Sequence, residues 1–130
     1  ETVPTERVYD TDCDVYAPCS VGATLDETTI PRLKCRVIAG SANNQLRGPE
    51  DGPRLVARKI LYAPDYVVNG AGAVSLAMVD EGASFDAIEK EIQKMDPRLT
   101  GIFREAAERN ESPVEAARRM VERRLQSLAR

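Results

Sequence analysis

The sequence predicts an α/β fold in which three short parallel strands alternate with helical segments and a run of helices closes the chain. Three observations carry that prediction. Apolar runs at 13–18, 35–39 and 60–63 each end in proline or in small and polar residues, as buried strands do. The stretches between them have helical or turn character, and successive strand–helix–strand units favour a parallel sheet with helices on its faces. From residue 69 onward, apolar residues recur at helical spacing. The chain therefore divides into a strand-bearing part, 1–81, and a helical part, 82–130, that packs on it.

Taken in order, 1–6 is polar and leads into the first strand, which Pro18 stops. A small-residue loop, Cys19-Ser20-Val21-Gly22-Ala23, follows at that strand's carboxyl end. Residues 28–33 form a short helical turn. The second strand runs over 35–39 and ends in a loop of small and amide residues, Gly40-Ser41-Ala42-Asn43-Asn44. A charged turn at 48–52 precedes a helix over 54–59, which delivers the third strand. A helix opens at 70–73, continues through Val79 and breaks at Gly82. Ser84 caps the next helix, whose apolar face carries Phe85, Ile88 and Ile92, and Pro97 interrupts the stripe that Leu99, Ile102, Phe103, Ala106 and Ala107 continue. Ser112-Pro113-Val114-Glu115 is a capping box with proline at the first helical position. The last helix is expected to bury Val114, Ala117, Val121, Leu125 and Leu128. Its Arg118, Arg119, Arg123 and Arg124 alternate with Glu115 and Glu122, which reads as a solvated, paired face rather than a nucleic-acid helix.

Composition narrows the function. With 130 residues the chain holds one core, and 42% apolar with 30% charged residues is ordinary for a soluble domain. A net charge of −3 gives no basic field, so no nucleic-acid partner is expected. No apolar run reaches membrane-spanning length and no signal peptide is recognisable, which makes a cytoplasmic location the expectation. The chain has three cysteines and no histidine. That excludes an imidazole base within these residues and predicts neither a disulfide framework nor a metal site. Cys13 and Cys35 sit among apolar neighbours and are expected to be buried.

The loop after the second strand carries the functional argument. In open α/β sheets, ligands bind beyond the carboxyl ends of the strands. Gly40, Ser41 and Ala42 let a flat ligand approach the main chain, while Asn43 and Asn44 offer neutral donors and acceptors. The same residues also serve simple turn geometry.

Three blocks in this order are more specific than any one alone: residues 13–23, residues 38–46, and Tyr62-Ala63-Pro64-Asp65-Tyr66-Val67-Val68-Asn69. Together they resemble the glutamate, leucine, phenylalanine and valine dehydrogenase family, in its leucine dehydrogenase branch, over nearly the whole chain. The family's substrate domain, with its two lysines and an aspartate, and its glycine-rich dinucleotide fingerprint have no counterpart here. Gly70-Ala71-Gly72 lacks the third glycine of that fingerprint. The resemblance thus implies the C-terminal half of a Rossmann-type NAD-binding domain followed by closing C-terminal helices. It implies no catalytic residue in this chain, and a complete enzyme that adds the N-terminal catalytic portion and is a homo-oligomer.

The activity implied is oxidative deamination of an L-amino acid to a 2-keto acid and ammonia, with NAD taking the hydride. By matching positions, Cys19, Ser20 and Val21 border the nicotinamide end of the cofactor, and Ser41, Ala42 and Asn43 form the second cofactor loop. Asn44 matches the residue that holds the substrate α-carboxylate. Ala73 and Leu76 match the face that lines the substrate side-chain pocket, although core packing suits these spacings equally well. An apolar pair there fits an aliphatic substrate. The competing reading is a non-catalytic folding or subunit-interaction module derived from the same family, pairing through its open sheet edge.

Overall fold

The computed structural model describes residues 2–129. Its sheet holds β1 (Val15–Tyr16), β2 (Val37–Ile38) and β3 (Leu61–Tyr62), all parallel and in the order β1-β2-β3. Val15 pairs with Val37 and Val37 with Leu61, while Tyr16 pairs with Ile38 and Ile38 with Tyr62. The strands are shorter than the apolar runs that contain them. Ahead of β2, the Arg36 and Val37 amides both donate to the Asp14 carbonyl, at 3.0 and 3.2 Å, which breaks the regular ladder. Beyond the strands, Pro18 and the Gly40 loop end the pairing.

Side chains alternate across a strand, so each row of paired residues marks one face. Ile38 and Tyr62 are buried and Tyr16 is half-buried, whereas Val15 and Leu61 on the opposite face are exposed. The expected helices on both faces are thus not found: among the described residues one face alone is covered. Cys35 is buried in the core, but Cys13 is exposed and not the buried residue that its neighbours predicted. It precedes β1, which lies at the edge of the sheet among the described residues.

The covered face packs Ile38 and Tyr62 with Leu25, Ile30, Leu33, Cys35, Leu55 and Ile60. Leu55 comes from α1 (Asp51–Ala57), which starts three residues earlier than the sequence predicts. Asp51 is the cause: its buried carboxylate accepts from the Gly48 N–H at 2.8 Å and from Arg54 at 2.8 Å, and so nucleates the first turn. Lys59 adopts a left-handed backbone, φ 57°, just past the helix and ends it.

Five helices follow: α2 (Asp65–Val68), α3 (Ala71–Asp80), α4 (Phe85–Gln93), α5 (Met95–Arg109) and α6 (Pro113–Leu128). Ser84 caps α4 by accepting from the Ala87 amide, and Ser112 with Glu115 forms the capping box of α6. The break before α5 falls at Lys94. Pro97 lies in the first turn of α5, where its missing N–H has no helical partner to lose.

Two cores form where the chain length predicts one: the second joins Ile102 and Ala106 of α5 to Ala116 and Ala117 of α6, with Val67 and Met120 against it. The buried stripe of α6 is therefore Pro113, Ala116 and Ala117, with half-buried Met120 beside it. The stripe expected from the sequence holds only at Ala117 and half-buried Val114; Val121, Leu125 and Leu128 are exposed. Ion pairs to α5 accompany this rotation. Arg119 and Arg123 reach across to Glu105 of α5 at 2.9 and 2.6 Å and hold its carboxyl down at about 2. α6 also meets the first core through half-buried Val114, and its cap lies against α1, where a Cβ on Gly52 would stand 3.0 Å from the Ser112 hydroxyl. No helix of the described residues is long and apolar enough to cross a membrane.

Candidate functional site

Parallel strands place their carboxyl ends along one edge of the sheet, so the loops after β1 and β2 emerge side by side. They interlock through the backbone. The Ala42 N–H donates to the Pro18 carbonyl at 2.9 Å. A Cβ at Gly40 would lie 2.2 Å from that carbonyl oxygen and 2.5 Å from the Pro18 nitrogen, so glycine alone fits there. A Cβ at Gly22 would lie 2.5 Å from the Asn43 carbonyl oxygen. The Ala23 N–H donates to the Asn44 carbonyl at 2.6 Å, and both residues have left-handed backbones, φ 54° and 52°. Asparagine tolerates that conformation better than most residues.

Gln45 holds the second loop from beneath. It is fully buried, and its Nε2 donates to the Gly40 and Ala42 carbonyls at 2.8 and 2.9 Å. Its backbone N–H donates to Asp65 Oδ2 at 2.8 Å, while Asp65 Oδ1 accepts from the Tyr66 N–H at 2.7 Å. Gln45→Leu keeps the volume but leaves the Gly40 carbonyl without its side-chain donor and the Ala42 carbonyl with only the longer, 3.4 Å contact from Asn69. The expected loss is about 2–4 kcal/mol in denaturant unfolding, from about 1–3 kcal/mol for the orphaned Gly40 carbonyl and about 1 kcal/mol for the weakened Ala42 one. A loss below about 1 kcal/mol would mean that the loop is held by other contacts.

Asn69, the C-cap residue of α2, closes the site from the side. Its Nδ2 donates to Asn43 Oδ1 at 2.7 Å and faces the Ser41 and Ala42 carbonyls at 3.3 and 3.4 Å. At the outer rim the Ser41 N–H meets Cys19 Sγ at 3.5 Å, and hydrogen bonding from Ser41 draws the Cys19 thiol below its ordinary value.

The surface left by these contacts is neutral and mixed. Ser20, Val21, Ser41, Asn43 and Asn44 are exposed, with Val21 an apolar side chain standing 65% free. Amide and hydroxyl groups beside one apolar side chain suit a flat ligand that carries its own polar edge. Proton abstraction is another matter. Asp65 is the carboxylate beneath these loops, and both its oxygens already accept backbone N–H groups. These loops offer hydrogen-bonding groups and one apolar side chain, and the one carboxylate they contact among the described residues has both oxygens engaged.

The sequence profile of the Glutamate/Leucine/Phenylalanine/Valine dehydrogenase family matches residues 1–127. The chain belongs to that family. Leucine dehydrogenase from Thermoactinomyces intermedius is 40% identical over 129 residues, which cover 98% of this chain and 35% of that enzyme. Phenylalanine dehydrogenase from Caldalkalibacillus thermarum is 38% identical over 130 residues, covering 100% of this chain and 35% of the relative. The chain thus spans about a third of the length of these curated relatives. The crystal structure of L-tryptophan dehydrogenase from Nostoc punctiforme superposes with a TM-score of 0.89 at 35% identity, over 93% of this chain and 37% of that one. Hetero-hexameric glutamate dehydrogenase from Thermus thermophilus, in its leucine-bound form, shares the fold at 19% identity, with a TM-score of 0.68 over 86% of this chain and 28% of its own.

In this member of the amino acid dehydrogenase family, the residues expected on the two loops come together. Cys19, Ser20 and Val21 stand beside Ser41, Ala42, Asn43 and Asn44. Ala42 differs from the rest: it is buried, and its amide and carbonyl are both engaged, so it holds the loop in place. Ala73 and Leu76 stand exposed on α3, which buries no residue, and the core-packing explanation of that pair fails within the described residues. Sequence reasoning missed the supporting roles of Gln45, Asp65 and Asn69. The one signal available was the run of three amides at 43–45, whose third member precedes Leu46 and is drawn inward with it.

Proposed function

We propose that this chain is the second half of a Rossmann-type dinucleotide-binding domain (1–81) and its closing helical segment (82–130), within an NAD-dependent L-amino acid dehydrogenase. The substrate is leucine or another branched-chain amino acid, deaminated oxidatively to its 2-keto acid and ammonia. The observation that carries this reading is the interlocked pair of loops at the carboxyl end of a parallel sheet, where such sheets bind ligands. Membership of the family and likeness to leucine, phenylalanine and tryptophan dehydrogenases support it.

When bound, NAD supplies the two-electron oxidant. The residues that would hold its nicotinamide end are Cys19, Ser20, Val21, Ser41 and Asn43, with Ala42 fixing the second loop. Val21 offers an apolar surface to one side of a ring, while Ser20, Ser41 and Asn43 offer groups for its polar edge. Asn44 donates its amide to the substrate α-carboxylate, and Ala73 and Leu76 line the side-chain pocket. Holding ring and α-carbon in one geometry with water excluded is this chain's contribution to the rate. The proton-accepting group comes from elsewhere in the enzyme, since Asp65 is occupied.

The uncovered apolar surface fits a part that works inside a larger, oligomeric protein. Leu76, Val79 and Phe85 are exposed on α3 and α4, Val121, Leu125 and Leu128 on α6, and one sheet face is open. The test is turnover. The 130-residue chain alone is expected to produce no NADH from L-leucine, and the complete protein to produce it in proportion to leucine. NADH from the chain alone, or none from the complete protein with leucine or valine, would contradict the reading.

A further inference from the structure

The geometry points to Asn69 as a positioning residue that sets which way round the Asn43 amide is presented. The inference rests on the reading above that Asn43 faces the cofactor. An asparagine amide has a donor end and an acceptor end of nearly equal size, and its hydrogen-bond partners decide the orientation. For Asn69 the decision comes from the main chain. Its amide faces the Ser41 and Ala42 carbonyls at 3.3 and 3.4 Å, and carbonyls only accept, so the NH₂ end must point towards them. That same NH₂ then meets the Asn43 side chain at 2.7 Å, where an acceptor is required, which turns Asn43 Oδ1 inward. The Asn43 NH₂ is left outermost on an exposed side chain. Two backbone carbonyls thus relay a fixed polarity through Asn69 to the rim of the site, and Asn43 presents a donor there. The ligand group it recognises is an acceptor oxygen.

Gln45 strengthens the relay. Its Nε2 donates to the Ala42 carbonyl at 2.9 Å and to the Gly40 carbonyl at 2.8 Å, which holds the backbone of this loop still beneath Asn69. Asn69 is also the cap of α2, and α3 follows two residues later, so the relay ties the amide to the helix that carries Ala73 and Leu76.

Substitution at position 69 in the complete protein reads this out. Asn69→Asp removes the donor and supplies an acceptor, which turns the Asn43 amide round so that its oxygen faces outward. Asn69→Ala merely frees Asn43 to choose. The KM for NAD is expected to rise at least about tenfold in N69D and only about two- to fivefold in N69A, following the strength of one hydrogen bond lost or reversed. Because the effect passes through Asn43, the double variant N43A/N69D is expected to be no worse than N43A alone. A merely structural role gives the opposite pattern, with N69D and N43A additive and both KM values moving with the melting temperature. Additivity, or an unchanged KM for NAD in N69D, would overturn the inference while leaving the proposed function standing. An unchanged KM for NAD in N43A would remove both the cofactor role of Asn43 and the relay built on it. Where N69D does not fold, a neutron structure of the unmodified complete protein decides. Asn43 nitrogen pointing away from Asn69 is the expected result, and the reverse orientation overturns it.

Discussion

Gly40→Ala is expected to dismantle the candidate site and to lower the melting temperature by at least about 10 °C, the equivalent of about 3 kcal/mol in a domain of this size. The reason is backbone contact and not flexibility. An added methyl would stand 2.2 Å from the Pro18 carbonyl oxygen and 2.7 Å from the Pro18 carbonyl carbon, and neither can yield as the end of a side chain can. Relief requires the loops after β1 and β2 to separate, which breaks the 2.9 Å bond from the Ala42 amide to Pro18. Gly72→Ala is the matched control. Gly72 lies within α3, and a Cβ there meets nothing within 4 Å. Alanine at a helical position is favoured over glycine by about 0.5–1 kcal/mol, so this variant is expected to be slightly more stable than the parent. Thermal unfolding of the pair separates the two cases. Similar melting temperatures for both would mean that the loops are not packed as described.

Asn44→Ala in the complete protein is expected to raise the KM for the amino acid about 10–100-fold while the KM for NAD changes by less than about threefold. A hydrogen bond from an amide to a carboxylate contributes about 1.5–3 kcal/mol, which sets the size of the effect. The backbone at Asn44 complicates the alanine variant, because φ is 52° and alanine is strained there. Asn44→Gly removes that strain together with the amide. It is expected to match Asn44→Ala in substrate affinity and to exceed it in stability. Equal losses for both ligands would remove Asn44 from the substrate carboxylate.

Much of this architecture is legible in the residues, and the failures have identifiable causes. The capping box at Ser112 and the cap at Ser84 are local, depending on side chains three residues away, and both stand as predicted. The three strands follow from short apolar runs ending in proline and glycine. Burial is a different matter, since it depends on what lies across the fold. Cys13 has apolar neighbours in sequence but precedes an edge strand and is exposed. On α6, most of the larger apolar side chains are not the ones that pack. Small Ala116 and Ala117 meet α5, while Val121, Leu125 and Leu128 are left outside.

The site divides the same way. The Cys19 and Ser41 loops stand side by side because β1 and β2 are parallel neighbours in the sheet; in the sequence that pairing is implied only by the family resemblance. The supports were not legible, because Gln45, Asp65 and Asn69 act through backbone carbonyls and amides that composition does not reveal. Nor did spacing distinguish Ala42, engaged at both ends of its peptide, from its exposed neighbours Ser41 and Asn43.

The most direct test is a crystal structure of the complete protein with NAD and L-leucine bound. The nicotinamide end of the cofactor is expected against residues 19–21 and 41–43, and the Asn44 amide within hydrogen-bond distance of the leucine carboxylate. A cofactor bound away from these loops, or a leucine carboxylate held without Asn44, would contradict these roles.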